Sequence, residues 1–357
     1  RPVRIARSRY TCMLSALMMT PSNSAAISMA IDDLPLAVGP ATIRTGRVLS
    51  VAEFIAGVYQ TCMQIFLTLV APPNSDFLPI RLEKLAAQLS ASHTHWLSES
   101  TACDLLFDDG DATTIEQTAR TFFAGKPVDV LAGAVDGRRK KLLIADMDST
   151  IVTSETLDDM AGHLGLKDEI AAITASGLRG ELSFEESLHK RLGMIAGLPL
   201  SAIDETLADV QLSDGAEALV KTMRAHGAHT ALVSGGFTLF TGPVGETCGF
   251  HEDHSNTLGI SGGKLTGGVL GPILGREAKL EMLDTLASQH GLSQEDALAI
   301  GDGANDLDMI EAAGLGIAYY GKPLLVEAAR ASIQHTDLTT ALYYQGYADT
   351  DFTVDKK

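Results

Sequence analysis

Lys140-Lys141-Leu142-Leu143-Ile144-Ala145-Asp146-Met147-Asp148-Ser149-Thr150 decides how the chain is read. Four consecutive apolar residues, Leu142–Ala145, run into a polar turn with two acids spaced i, i+2, the mark of a short buried strand that ends on reactive side chains. The same figure recurs twice. Thr230–Val233 runs into Ser234-Gly235-Gly236-Phe237, and Ala297–Ile300 runs into Gly301-Asp302-Gly303-Ala304-Asn305-Asp306-Leu307-Asp308-Met309. A fourth apolar run, Gly316–Ala318, follows. Helical periodicity lies between them, in Ala216, Leu219, Val220 and Met223 and again in Leu280, Leu283 and Leu286. Short, near-continuous apolar strands alternating with helices specify a doubly wound, Rossmann-like α/β fold with a parallel sheet covered on both faces. Ligands of such sheets bind at the carboxyl ends of the strands, where the polar turns lie.

Taken singly, these turns are ambiguous. Two acids at a strand end also cap helices, Gly-Gly after a strand is often only a turn, and Lys279, in a helix starting near Arg276, reads by itself as a solvated face. The turn with Asp302, Asp306 and Asp308 is more telling. Three acids within seven residues repel one another and call for a cation. Carboxylate and water oxygens are what Mg2+ prefers. A phosphate approaching such carboxylates meets about 4 kcal/mol of repulsion per charge pair at 4 Å and an effective dielectric near 20. Substrate entry therefore needs the metal and a lysine.

Together the four elements, D-x-D-S-T, S-G-G-F, Lys279 and G-D-G-x-N-D, resemble the haloacid dehalogenase (HAD-like) superfamily of phosphohydrolases in order, spacing and strand-end placement. The resemblance covers roughly residues 141–345. It implies a Mg2+-dependent phosphomonoester hydrolase with Asp146 as nucleophile, forming an aspartyl-phosphate. Asp148 is then the general acid and base, with its backbone carbonyl turned to the metal. Asp146, Asp148 and Asp302 are the implied metal ligands, and Asp306 supports them. Ser234 and the N–H of Gly235 would hold phosphate oxygens, and Lys279 would bridge phosphate and Asp146. For its two roles Asp148 must hold a proton part of the time, so its pKa should be raised.

Residues 154–214, between the first two motifs, are long enough for a small helical cap that closes over the site. Three positions in it match the phosphoserine phosphatases. Glu155, nine residues after Asp146, matches the carboxylate for the substrate ammonium. Arg191 matches the arginine that grips the substrate carboxylate, for which a planar guanidinium is suited. Phe184 matches an apolar residue shielding the pocket, and Asn305 is a further substrate contact. Leu178 departs from the methionine common in relatives and leaves the pocket apolar. The implied reaction is hydrolysis of O-phospho-L-serine to L-serine and phosphate, the last step of serine biosynthesis. The alternative is another phosphorylated amino acid or small alcohol, as phosphatase or phosphotransferase substrate.

The remaining sequence divides in three. Residues 1–62 carry six arginines against three acids, which leaves −21 of the net −18 to the rest. This basic start reads as a poorly ordered or extraneous extension, or as a transit peptide. Residues 63–132 follow the order βαββαβ: strand Gln64–Ala71, helix Phe77–Leu89, strands His93–Ser98 and Ala102–Phe107, helix Thr113–Phe123 and strand Val128–Ala132. This is the ferredoxin-like pattern. It is similar in element order to ACT-type domains, which implies amino-acid sensing or homodimerisation. Gly133–Lys141, with Arg138-Arg139-Lys140, reads as a solvated linker. Gly262-Gly263 reads as a hairpin turn. The net charge argues against nucleic acid. No run of about 18 apolar residues offers a membrane span. Four scattered cysteines, Cys12, Cys62, Cys103 and Cys248, fit a reducing cytoplasm.

Overall fold

The computed structural model describes residues 64–73, 75–178 and 181–353, with side chains omitted at 175, 177 and 178. The extension over residues 1–62, the start at Met63 and the side chain of Leu178 lie outside the described residues. Residues from Gln64 onward form one compact unit.

The first elements are β1 (Ile65–Val70), α1 (Phe77–Leu89), β2 (His93–Ser98), β3 (Ala102–Phe107), α2 (Ala112–Phe122) and β4 (Asp129–Ala134). They build an antiparallel sheet of order β2-β3-β1-β4, in which Leu67 stands opposite both Leu105 and Ala132. One sheet face, with Ile65, Leu67 and Leu69, is covered by Leu78, Leu82 and Leu85 of α1 and Ile115 and Ala119 of α2. Phe66 and Val70, on the opposite face, join the core of the larger sheet. Burial on both sides explains why β1 is apolar throughout rather than alternating.

The segment expected to be a solvated linker is exposed at Val135, Asp136, Gly137, Arg139 and Lys141, and Arg138 is its exception. Strand β4 extends through Gly133 and Ala134, and the Arg138 side chain, only 9% exposed, forms an ion pair with buried Asp104, 2.6 Å away. Its guanidinium also lies 3.7 Å from the centre of the Phe66 ring. A guanidinium can be largely removed from water this way because each of its three nitrogens finds an acceptor.

After β5 (Leu142–Ala145) the chain leaves for the cap, α3 (Thr156–Gly162), α4 (Lys167–Leu178), α5 (Phe184–Met194) and α6 (Leu200–Asp209). Val152 and Leu212 pair where the insert leaves and returns. The sheet resumes through α7 (Ala216–Ala225), β6 (His229–Phe237), α8 (Thr238–Cys248), β7 (Glu252–Ser261) and β8 (Lys264–Leu270). It is completed by α9 (Arg276–Gln289), β9 (Ala297–Gly301), α10 (Leu307–Ala312), β10 (Leu315–Tyr319), α11 (Pro323–Ala328), β11 (Ala331–Ile333) and α12 (Thr340–Tyr344). The strand order is β11-β10-β9-β5-β6-β7-β8, parallel except for the β7–β8 hairpin that turns at Gly262 and Gly263. Both glycines have positive φ, 57° and 76°, as a tight hairpin turn requires.

The register positions the site. Ala145 lies opposite Leu232 on one side and Ile300 on the other. Asp146, Ser234 and Asp302 therefore emerge from three adjacent strands at the same edge. The stretch Ser234-Gly235-Gly236-Phe237, expected as a turn, stays extended inside β6. It interrupts the pairing with β7 between Val233 and Phe237. The irregularity releases these residues from the ladder while keeping them aligned.

Candidate active site

Asp146 follows β5 directly and is buried. Its Oδ1 accepts from the Met147 N–H at 2.8 Å and lies 2.8 Å from Lys279 Nζ, while Nδ2 of Asn305 lies 3.4 Å from Oδ2. Lys279, supplied by α9, is fully buried and also donates to Asp306 Oδ1 at 2.6 Å. Burial would lower its pKa, but the carboxylates of Asp146 and Asp306 override this and raise it. Asp306 is committed at both oxygens, because Oδ2 accepts from Gly303 N–H at 3.0 Å. A Cβ on Gly301 would lie 2.4 Å from the Asp306 Cγ, so only glycine lets this carboxylate rest on the strand end. Burial and the neighbouring Asp146 push Asp302 up to about 6, and the same two causes push Asp306 upward.

Asp148 owes its position to a turn. It is extended (φ −62°, ψ 135°), and Ser149 after it is left-handed (φ 55°, ψ 6°), a conformation costing a non-glycine residue about 1 kcal/mol. The turn lets Asp148 Oδ1 accept from the Thr156 N–H at 3.0 Å and lets Ser149 Oγ donate to Glu155 Oε1 at 2.7 Å. Asp148 borders the cavity at its floor, and burial, then Glu155 and Asp146, push its carboxyl up to about 8. A group with such a pKa exchanges protons near neutral pH. Burial raises Glu155 as well.

The cradle lies beside this pair. Ser234 Oγ accepts from Gly236 N–H at 2.9 Å. A Cβ on Gly236 would stand 2.9 Å from Asp148 Oδ2, so the backbone approaches the acid only because that residue is glycine. From the cap, the Phe184 ring lies over Gly235, 3.1 Å from where a Cβ would stand. Among the described residues Arg191 makes only long contacts to neutral atoms, 3.3 Å to the Ser187 carbonyl and 3.3 Å to Thr174 Oγ1. Among the described residues no carboxylate comes within ion-pair distance of it. Burial lowers its pKa, opposed by Asp158, Glu155 and Asp148.

One cavity of about 810 Å³ joins these groups. Asp146, Asp148, Glu155, Phe184, Arg191, Ser234, Gly235, Asp302 and Asn305 all line it. Lys279 does not; it lies behind Asp146. Two contributors escaped the sequence reading. Lys322 lines the cavity with Nζ 3.6 Å from Asp302 Oδ2. It follows β10, so the strand-end rule that singled out the other turns would have found it. Asn256, buried in the middle of β7, donates to the Gly235 carbonyl at 2.9 Å and accepts from Leu274 N–H at 2.8 Å. Nothing in its local sequence marks it.

Carboxylate oxygens of Asp146, Asp302 and Asp306 all lie within 4.8 Å of one another. Hard oxygen donors of this kind suit Mg2+. With Asp306 bound to Lys279 and Gly303, Asp146 and Asp302 are the two that face the cavity.

The sequence profile of the haloacid dehalogenase-like hydrolases matches residues 143–311. The phosphoserine phosphatase of Streptomyces coelicolor is 42% identical over 222 residues, 62% of this chain and 54% of that protein. That of Methanocaldococcus jannaschii is 39% identical over 207 residues, 58% of this chain and 98% of its own length. A solved phospho-aspartyl intermediate analogue of phosphoserine phosphatase, 39% identical, superposes with a TM-score of 0.55 over 58% of this chain and 99% of its own. The chain thus spans about half the length of the Streptomyces relative and nearly all of the archaeal one. A catalytic core matched end to end at this identity places the chain in the phosphoserine phosphatase family of the haloacid dehalogenase-like hydrolases.

Proposed function

We propose that the chain hydrolyses O-phospho-L-serine to L-serine and phosphate through an aspartyl-phosphate on Asp146, with Mg2+ as cofactor. The observation that carries the substrate is Arg191. A guanidinium drawn into a cavity with only neutral, long contacts lacks its counter-ion, and the substrate carboxylate supplies one. Glu155, on the same cavity wall, would take the ammonium group.

In this reading the Asp146 carboxylate attacks phosphorus, held in place by Lys279 and the Met147 N–H. Ser234 Oγ and the N–H of Gly235 hold phosphoryl oxygens, and Asn305 closes the near side. Asp148 gives its proton to the departing serine Oγ, then takes one from the water that cleaves the acyl-phosphate. Phe184 covers the reacting groups and keeps other water out. Asp146, Asp302 and the backbone carbonyl of Asp148 would hold Mg2+. Bound there, the ion would neutralise the carboxylates facing the phosphate and stabilise charge on the transferring group.

Phosphate release from L-phosphoserine, with and without Mg2+, tests the reading. Metal-dependent release by the wild type that vanishes in Asp146→Asn is the expected result. Phosphoethanolamine, which lacks the carboxylate, should be a poor substrate. Equal turnover of the two compounds would remove Arg191 from its role. A folded, metal-loaded protein inactive on phosphoserine and on an aryl phosphate alike would end the enzymatic reading.

A further inference from the structure

At the opposite end of the sheet from the catalytic cavity lies a cluster of four histidines around one glutamate. His229 opens β6, Glu252 opens β7 and His290 follows the last turn of α9. Ser234 is five residues further along β6 than His229, roughly 16 Å at the rise of a strand. The cluster is therefore remote from the phosphate cradle.

Its donor atoms are close enough together to share one ion. One donor atom from each of His229, Glu252 and His290 lies within 4.8 Å of the other two. The carboxylate is held from behind: Glu252 Oε2 is 2.7 Å from His254 Nε2, while Oε1 hydrogen-bonds His229 Nε2. Ligating carboxylates are characteristically oriented by such an outer hydrogen bond. The His229 ring stacks on His290 at 3.9 Å and on His251 at 4.7 Å between centres. His251 Nδ1 is engaged by Thr230, whose N–H donates to it at 3.2 Å, and His251 is not among the three grouped donors. Three imidazoles piled this closely would repel one another if all were protonated. A dication binds neutral imidazoles, so the crowding that disfavours their protonation leaves them available as ligands. His290 is exposed, which leaves a position for water.

We propose that His229, Glu252 and His290 form a second, non-catalytic site for a divalent transition-metal ion of the zinc class. Two imidazole nitrogens and one carboxylate oxygen, with water as fourth ligand, satisfy tetrahedral Zn2+. The nitrogen donors favour such ions over Mg2+, whose preference is oxygen. The ion would tie the starts of two strands to the end of α9.

Tag-free full-length protein is dialysed against Zn2+ in saturating Mg2+, and its metal content is measured. The wild type should hold one more zinc per chain than His290→Ala, and Glu252→Gln should lose at least about tenfold in affinity. Co2+ in place of Zn2+ should give the intense visible absorption of a four-coordinate site in the wild type and not in His290→Ala. His290 is exposed, so its loss should leave folding intact, checked by an unchanged Tm in chelator. Equal zinc content and affinity in wild type and His290→Ala would overturn the proposal, as would no zinc bound in excess of Mg2+. Because the readout is metal content, the result is independent of the reaction proposed for the cavity.

Discussion

Burial at the cavity floor, with Glu155 and Asp146 close by, holds the Asp148 carboxyl up at about 8, against about 4 in an unfolded chain. The folded protein thus binds this proton more tightly than the unfolded one. The stability it contributes is fully present below about pH 4 and lost as pH rises to about 8. Metal-free wild type should therefore melt at falling temperature across that window. Asp148→Asn removes the titrating group, so the variant should out-melt wild type near pH 8 and lose that advantage near pH 4. Asp302 and Asp306, raised by the same burial, keep part of the slope in both proteins. Melting scans in chelator check this, and parallel curves for the two proteins would refute it. Phosphate release by the variant should fall at least about a hundredfold.

At the scale of elements, α5 carries both Phe184 and Arg191, seven residues and two turns apart on one helical face. Its start is fixed by a reciprocal cap: Ser183 Oγ accepts from Glu186 N–H at 3.1 Å and Glu186 Oε2 accepts from Ser183 N–H at 2.9 Å. Ser183→Ala should cost about 1 kcal/mol. In the proposed reading the helix offers substrate contacts rather than the nucleophile, so the expected kinetic effect is a higher KM for phosphoserine with kcat little changed. Steady-state kinetics decide, and a fall in kcat at constant KM would show that α5 acts on chemistry instead. Strand β6 gives the complementary lesson. Ser234-Gly235-Gly236-Phe237 has the composition of a turn, yet it remains extended because Phe237 pairs with Asn256 across the sheet. That long-range partner is invisible in a local window.

At the scale of the molecule, Arg138 joins the small antiparallel sheet to α12 beside the large sheet. It lies 2.6 Å from Asp104 and Thr68 of the small sheet and donates to the carbonyls of Tyr344 and Tyr343 at 2.8 and 3.0 Å. Asp129 makes a second tie, accepting from the N–H groups of Gln334 and His335 at 2.9 and 3.2 Å. Arg138→Met should destabilise by about 3–5 kcal/mol, since Asp104 would be left buried and unpaired. Adding Asp104→Leu should recover much of the loss. Urea unfolding measures both, and a single variant within about 0.5 kcal/mol of wild type would show that the junction is not held this way. No helix among the described residues is long and apolar enough to cross a membrane.

Legible in the local sequence were the strands of both sheets, the strand-end placement of Asp146, Ser234 and Asp302, and the helical insert that carries Glu155, Phe184 and Arg191. These are written in apolar runs, turn chemistry and fixed spacings, which local sequence carries. Only the folded neighbourhood decided that Arg138 is ion-paired to Asp104 rather than freely solvated, that Lys279 sits behind Asp146 with Asp306, and that Asn256 props the cradle. It also gathered His229, Glu252 and His290, which span sixty-two positions of the chain. Each of these depends on partners distant in sequence, and burial and pairing are properties of the folded neighbourhood, not of the residue.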